Sequence, residues 1–161
     1  MRKLPSLGVL SLFIGMITIS GLTLSGSQAR MDHQRVQDRL IGAWRLAWLE
    51  ESDANGEVHK PDCIGLLVYT RDGHMSVQVM YRNPQPGTNA PVQYAQGGYE
   101  ASYGTYEIDG GAHTFTFHVE GALVRTLVGK DLMRVFEFSG NQLIVKSSNS
   151  NEHWRVAWEH Y

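Results

Sequence analysis

Very little in this sequence announces a function. Only one of its 161 residues is cysteine, Cys63. An intramolecular disulfide is therefore excluded, and the fold must be held by its core. Beside apolar Ile64, that cysteine reads as a small, partly buried residue rather than a nucleophile. No basic run occurs, and the formal net charge is −2. This balance argues against nucleic acid or an anionic membrane surface as a partner. A nucleophile elbow, a phosphate loop and a dinucleotide fingerprint are all missing. Gly104-Thr105 and Gly129-Lys130 are isolated pairs in a strand-rich context. Seven histidines are present, His33, His59, His74, His113, His118, His153 and His160, but none sit at H-x-H or H-x-x-x-H spacing. No metal site, haem or other cofactor is expected. Beyond residue 41, helical periodicity is missing too.

The first thirty residues have a different character. Arg2 and Lys3 precede an apolar run from Leu7 to about Leu24 that carries no charge, and Ser27-Gln28-Ala29 then places small residues where a signal peptidase reads. This order predicts a secretory signal peptide over residues 1–29, cleaved after Ala29. The rival reading is a retained anchor, since about 18 apolar residues approach the lower limit for a spanning helix. Gly8, Gly15 and Gly21 weaken it as an anchor, and with no cysteine near the site a bacterial lipoprotein anchor is excluded. Residues 30–161 are then one domain, periplasmic or secreted, with no membrane span after cleavage.

This domain reads as a short helix and a series of short strands. Residues 30–41 suit one or two turns of helix, with Asp32 as N-cap and Val36 and Leu40 four apart. From Trp44 onward the pattern has period two. Strands are predicted over 44–49, 64–70, 75–81, 103–108, 114–120, 132–138, 143–146 and 154–159. Asp72-Gly73, Asp109-Gly110-Gly111 and Ser139-Gly140-Asn141-Gln142 supply turns between them. Eight strands without helices leave a sandwich or a barrel. The ends favour closure. Trp44-Arg45-Leu46-Ala47-Trp48 and Trp154-Arg155-Val156-Ala157-Trp158 each place two tryptophans on one face, as a seam between first and last strands would. Residues 82–101 are too long for a hairpin connection and carry Tyr94 and Tyr99. They are expected to lie over one end as a lid, with a tyrosine reaching the mouth.

Longer stretches carry a resemblance. These are Leu40-Ile41-Gly42-Ala43-Trp44-Arg45-Leu46, Tyr69 to Gln78, Tyr103-Gly104-Thr105-Tyr106-Glu107, His118-Val119-Glu120-Gly121 and Arg134-Val135-Phe136-Glu137-Phe138. Over nearly all of residues 38–160 the chain resembles the bacterial and fungal lipocalin-like domain family, of the calycin type. The resemblance implies an antiparallel up-and-down β-barrel with an internal cavity, its short N-terminal helix closing one end. For activity it implies little; members often accompany small-molecule metabolism, and a few related barrels act as cyclases or isomerases. It also implies that Arg155, on the last strand, makes a cation–π contact that closes the barrel. The Pro- and Gly-rich stretch before Tyr103 departs from the helix-forming stretch usual in members.

The candidate ligand-binding residues are Gln78, Tyr99, His118 and Arg134. Arg134 shares its face with Phe136 and Phe138, so it should meet apolar surroundings. Its fork of donors, with His118 as a proton shuttle and Gln78 as a hydrogen-bonding group, would orient a carboxylate, carbonyl or phenol. Each also has a bland reading. Gln78 is then solvent-facing, His118 is an ordinary strand histidine, and Arg134 packs over an aromatic or pairs with Glu120 or Glu137. The leading function is binding of a small, mainly apolar molecule. Its rivals are a cofactor-independent isomerase, cyclase or hydratase using His118 and Arg134 in one pocket, and a filled barrel with no cavity. The export reading predicts a mature product beginning near Arg30 in the extracytoplasmic fraction. Intact-mass analysis of that fraction checks it, and a membrane-bound product retaining residues 1–29 would refute cleavage.

Overall fold

The computed structural model describes residues 22–52, 55–83 and 99–161. Most of the expected leader and nearly all of the 82–98 connection, Tyr94 included, lie outside these residues. Among the described residues, one helix, α1 (Leu22–Leu40), precedes nine strands: β1 (Gly42–Ser52), β2 (Val58–His59), β3 (Cys63–Tyr69), β4 (His74–Tyr81), β5 (Tyr99–Asp109), β6 (Thr114–Ala122), β7 (Asp131–Ser139), β8 (Gln142–Ser147) and β9 (Trp154–His160). Every long strand pairs antiparallel with its neighbours in chain order, and β1 also pairs with β9. The result is a closed eight-stranded barrel; the two-residue β2 only extends the end of β1. Among the described residues, no helix is long and apolar enough to cross a membrane.

The two ends differ. Short turns at 70–73, 110–113 and 140–141 gather at one end, and α1 lies across it. The carboxylate of Asp38 pairs with Arg71 at 3.1 Å, the Arg39 guanidinium sits 3.8 Å from the centre of the Phe138 ring, and Gly110 lies against the backbone of His33. Leu40 is fully buried beneath the helix. The helix turns into β1 at Gly42, whose φ of +133° is open to glycine alone at little cost. Trp44 is buried at this end, and its indole Nε1 donates to the Leu40 carbonyl at 2.8 Å. The ring of His160, its partner across the seam, packs edge-on at 4.6 Å. The expected plug is therefore present, but the helix is longer than expected. Asp32 is no N-cap: the turns before it remain helical, and its carboxylate pairs with Arg35 one turn on.

A second difference lies in the first strand. The sequence puts Trp44, Leu46 and Trp48 on one face. A β-bulge between Leu46 and Trp48 breaks that alternation. One extra residue reverses which face the later side chains take. Trp48 consequently leaves the core and lies on the outer wall. There Lys60 and Arg155 sit over its ring at 5.2 and 5.4 Å, and Arg155 is hydrogen-bonded to Glu50. So Arg155 does stack on a seam tryptophan, one contributed by β1. The pattern of β9 holds as read, with Val156 and Trp158 buried and Arg155 exposed. Elsewhere, β5 meets β6 so closely at a second bulge that a Cβ on Gly104 would fall 1.9 Å from the His118 carbonyl oxygen.

Trp44 and Trp48 should therefore respond differently to truncation. Trp44→Ala leaves a core void and an unpaired carbonyl, and is expected to cost roughly 3–5 kcal/mol. Trp48→Ala removes an outer cation–π stack and is expected to cost about 1 kcal/mol. Urea denaturation of the two variants checks this; similar losses would mean that Trp48 also carries the core.

Candidate functional site

The barrel is not filled. It encloses a cavity of about 580 Å³ that opens at the end opposite α1. The walls come from the inward positions of the strands. On β4 these are Met75, Val77, Val79 and Tyr81; on β6, Phe115 and Phe117; on β9, Trp154, Val156 and Trp158. Depth and mouth differ in chemistry. Leu67, Tyr69, Met75, Phe115, Phe117 and Trp158 line the deep part. At the floor, Tyr69 and Tyr106 meet edge to face at 5.0 Å. The Tyr69 hydroxyl is buried without a partner among the described residues, and burial pushes its pKa well up. Toward the mouth the lining turns polar, with Glu51, Ser52, Tyr81, Tyr99, Glu100, Arg134 and His153 beside Leu49, Val124, Leu127 and Trp154.

Of the four candidate residues, Arg134 faces this space and Tyr99 borders its mouth. Arg134 lies opposite Phe115 across the β6–β7 ladder and shares its inward side; its side chain is 17% exposed. Tyr99, at the start of β5, lines the mouth and remains half exposed. Gln78 and His118 are on the other side of the wall. Strict alternation along β4 sends Gln78 outward with Ser76, to whose Oγ its amide donates. On β6 the inward positions are Phe115, Phe117 and Val119, so His118 points out. There its Nδ1 meets Asp131 Oδ1 at 2.7 Å. His118 and Arg134 thus occupy opposite faces, and no single substrate atom reaches both. The isomerase or hydratase scheme built on that pair loses its geometric basis.

The structure adds polar groups that sequence reasoning missed. Glu51 is inward only because the bulge shifts β1 by one residue. Tyr81 shares the alternation of Met75, Val77 and Val79, a legible signal, but the polar face of β4 drew attention instead. Glu100 lies in a segment read as loop, yet it is on β5, opposite Val79. At the mouth, Tyr81 Oη donates to Glu51 Oε1 at 2.9 Å, and His59 Nε2 approaches the same oxygen at 3.2 Å. Partial burial, reinforced by the Glu51 carboxylate, pushes the Tyr81 phenol up to about 12.

Arg134 holds the opposite side. Its Nη1 donates to Met133 O at 3.4 Å and Ser147 Oγ at 3.3 Å, and its guanidinium lies 5.1 Å from the Trp154 ring centre. Glu152, rather than Glu120 or Glu137, is its nearest carboxylate, at 3.7 Å. Desolvation lowers the Arg134 pKa against the opposing pull of Glu152 and Glu100. Glu100 is open to solvent at the mouth, but the protein around it disfavours its charge and raises the carboxyl pKa, with Arg134 pulling the other way. Cys63 is 8% exposed and its thiol pKa is raised, first by burial and then by Glu51 and Asp62, which suits an inert wall residue.

A closed barrel with a helix-plugged end and an open apolar cavity defines a calycin-type architecture. A family model for the lipocalin-like domain matches residues 41–160, which spans β1 to β9, and the chain belongs to that family. No curated protein matches the chain.

The Tyr81–Glu51 pair yields a direct check. Removing the carboxylate in Glu51→Gln should bring the Tyr81 pKa down from about 12 part of the way toward an ordinary phenol, because desolvation remains. Ultraviolet titration, taking Tyr81→Phe as the blank, measures this. An unchanged tyrosinate transition would show that Glu51 does not act on Tyr81.

Proposed function

We propose that the barrel binds one small, mainly apolar molecule, with its hydrophobic body in the deep cavity and one polar end at the mouth. The observation that carries this reading is the cavity itself, about 580 Å³, apolar at depth and ringed by a few convergent polar groups at its opening. That size and polarity gradient suit a ligand of drug-like dimensions. A molecule of this volume would make dispersion contacts with the Phe, Val, Leu and Trp side chains that line it. Membership of the lipocalin-like family supports a ligand-binding barrel in general.

We further propose that the barrel works outside the cytoplasm, with residues 1–29 removed. In support, His33, Val36, Asp38, Arg39 and Leu40, which carry contacts of α1 with the barrel, all lie beyond Ala29 and would remain after cleavage there.

Native mass spectrometry of the purified chain is the test, since it registers a molecule carried through purification. Titration with a panel of lipids and aromatics, followed by the fluorescence of Trp154 and Trp158 in the wall, should show saturable binding. Val79→Trp places an indole in the cavity and is expected to weaken that binding about tenfold or more while the barrel still unfolds cooperatively. A clean mass with no panel member bound, or a Val79→Trp variant that binds like wild type, would exclude the cavity as a binding site.

A further inference from the structure

Arg134 offers the cavity a guanidinium whose capacity is only partly used. Its hydrogen bonds all leave from Nη1 and end on neutral oxygens. Glu152 stays at 3.7 Å, beyond hydrogen-bond length, and is engaged instead by Asn149 Nδ2 at 3.3 Å and Trp154 Nε1 at 3.2 Å. Among the described residues, Nη2 and Nε have no partner. The Trp154 ring and the link to Ser147 hold the group in place, and a fork of this kind fits two oxygens of a carboxylate or of a tetrahedral oxyanion.

Glu100, inward on β5 opposite Val79, lines the same cavity two strands away from Arg134. Among the described residues its carboxyl accepts no hydrogen bond, and its charge and that of Arg134 act on each other. A ligand anion seated on Arg134 would place a further negative charge beside a carboxylate already disfavoured by its surroundings. Anions crowded around one cation are relieved when one of them takes up a proton. Among the described residues, the other ionisable groups lining this space are Glu51 and Tyr81, which are bonded to each other, Tyr99 on β5, His153 in the β8–β9 connection and Tyr69 at the floor, with Glu152 beside Arg134. Glu51 and Glu152 are already held by donors, which leaves Glu100 as the carboxylate free to accept the proton.

We propose that the ligand is an amphiphile with an anionic head, a carboxylate or an equivalent oxyanion, that lies on the open edge of Arg134 in the cavity it shares with Glu100 and is taken up together with one proton. This rests on the cavity being a binding site. It specifies what the polar end is and makes affinity depend on pH. Binding is tighter when Glu100 is protonated and weakens as pH rises through its raised titration range.

Decanesulfonate and decanol make suitable probes, because the sulfonate stays ionised at every working pH and the alcohol is never charged. In calorimetric titrations of the purified chain, sulfonate affinity should fall by up to roughly tenfold per pH unit across the Glu100 transition, while decanol affinity stays level. Glu100→Gln should abolish that slope and keep sulfonate binding tight at high pH. His153→Asn should retain the slope. Arg134→Met should weaken sulfonate binding about 10- to 100-fold, with melting temperatures recorded in parallel to separate lost head-group contact from lost fold. If sulfonate and decanol bind alike, or Glu100→Gln keeps the wild-type slope, the anion proposal is overturned while the cavity still stands as a binding site. If neither probe binds, both fall.

Discussion

The pairing of β1 with β9 is the constraint on which the rest of this molecule depends. Without it the sheet has two long free edges and no interior. With a single cysteine, no covalent staple is available to hold the edges together. The seam is secured from both sides instead. Inside, Trp44 and Trp158 are buried beside Leu40 and Leu143. Outside, Glu50, Arg155, Trp48 and Lys60 form a surface band across the same two strands. The bulge in β1 is what lets both sets exist. With unbroken alternation, Trp48 and Glu50 would point into the barrel, and Leu49 and Glu51 would point out. An indole and an unpaired carboxylate would then occupy the space that is now the cavity, and Arg155 would have no partner. A one-residue irregularity thus keeps the lumen open and the seam closed.

The cavity inherits its polarity from the same construction. Each strand runs from the plugged end to the open end or back, so residues near the turns pack against Trp44 and Tyr69, whereas residues at the far ends ring the opening. Arg134 starts from mid-wall, opposite Phe115, and its long side chain reaches the mouth groups Trp154 and Glu152. Its stem crosses apolar surface while the guanidinium reaches polar company, the usual compromise for a cation in such a wall. The result is a gradient from hydrocarbon to charge within one enclosed space.

Most of the fold was legible because period two is a strong signal when one face is buried. All eight barrel strands and the Asp-Gly turns were readable from it. Sidedness was legible wherever alternation was unbroken, as at Arg134 and along β9. It failed at Trp48, where an inserted residue leaves no mark in composition. The helix start was misjudged because Asp32 has the chemistry of a cap, while the segment before it is equally able to remain helical. For the site, the difficulty was one of choice. Gln78 and His118 attracted notice as polar residues within strands, but on a two-sided wall such residues are most at home outside. Tyr81 was legible from the alternation of β4, whereas Glu51 and Glu100 were hidden by a bulge and by a Gly-rich approach.

The uneven distribution of connections between the two ends has a consequence for how such a chain can change over generations. At the plugged end, the links are tight turns, two of them held against α1, so an added residue there would disturb register or unseat the helix. At the open end, the links are long: residues 53–62, 82–98, 123–130 and 148–153. Lengthening a flexible link is thermodynamically mild, roughly 0.6 kcal/mol for each doubling. Insertions and deletions can therefore accumulate around the mouth with little loss of stability. One end of this barrel is conservative by construction and the other is free to drift, so descendants with very different appetites can share the same wall.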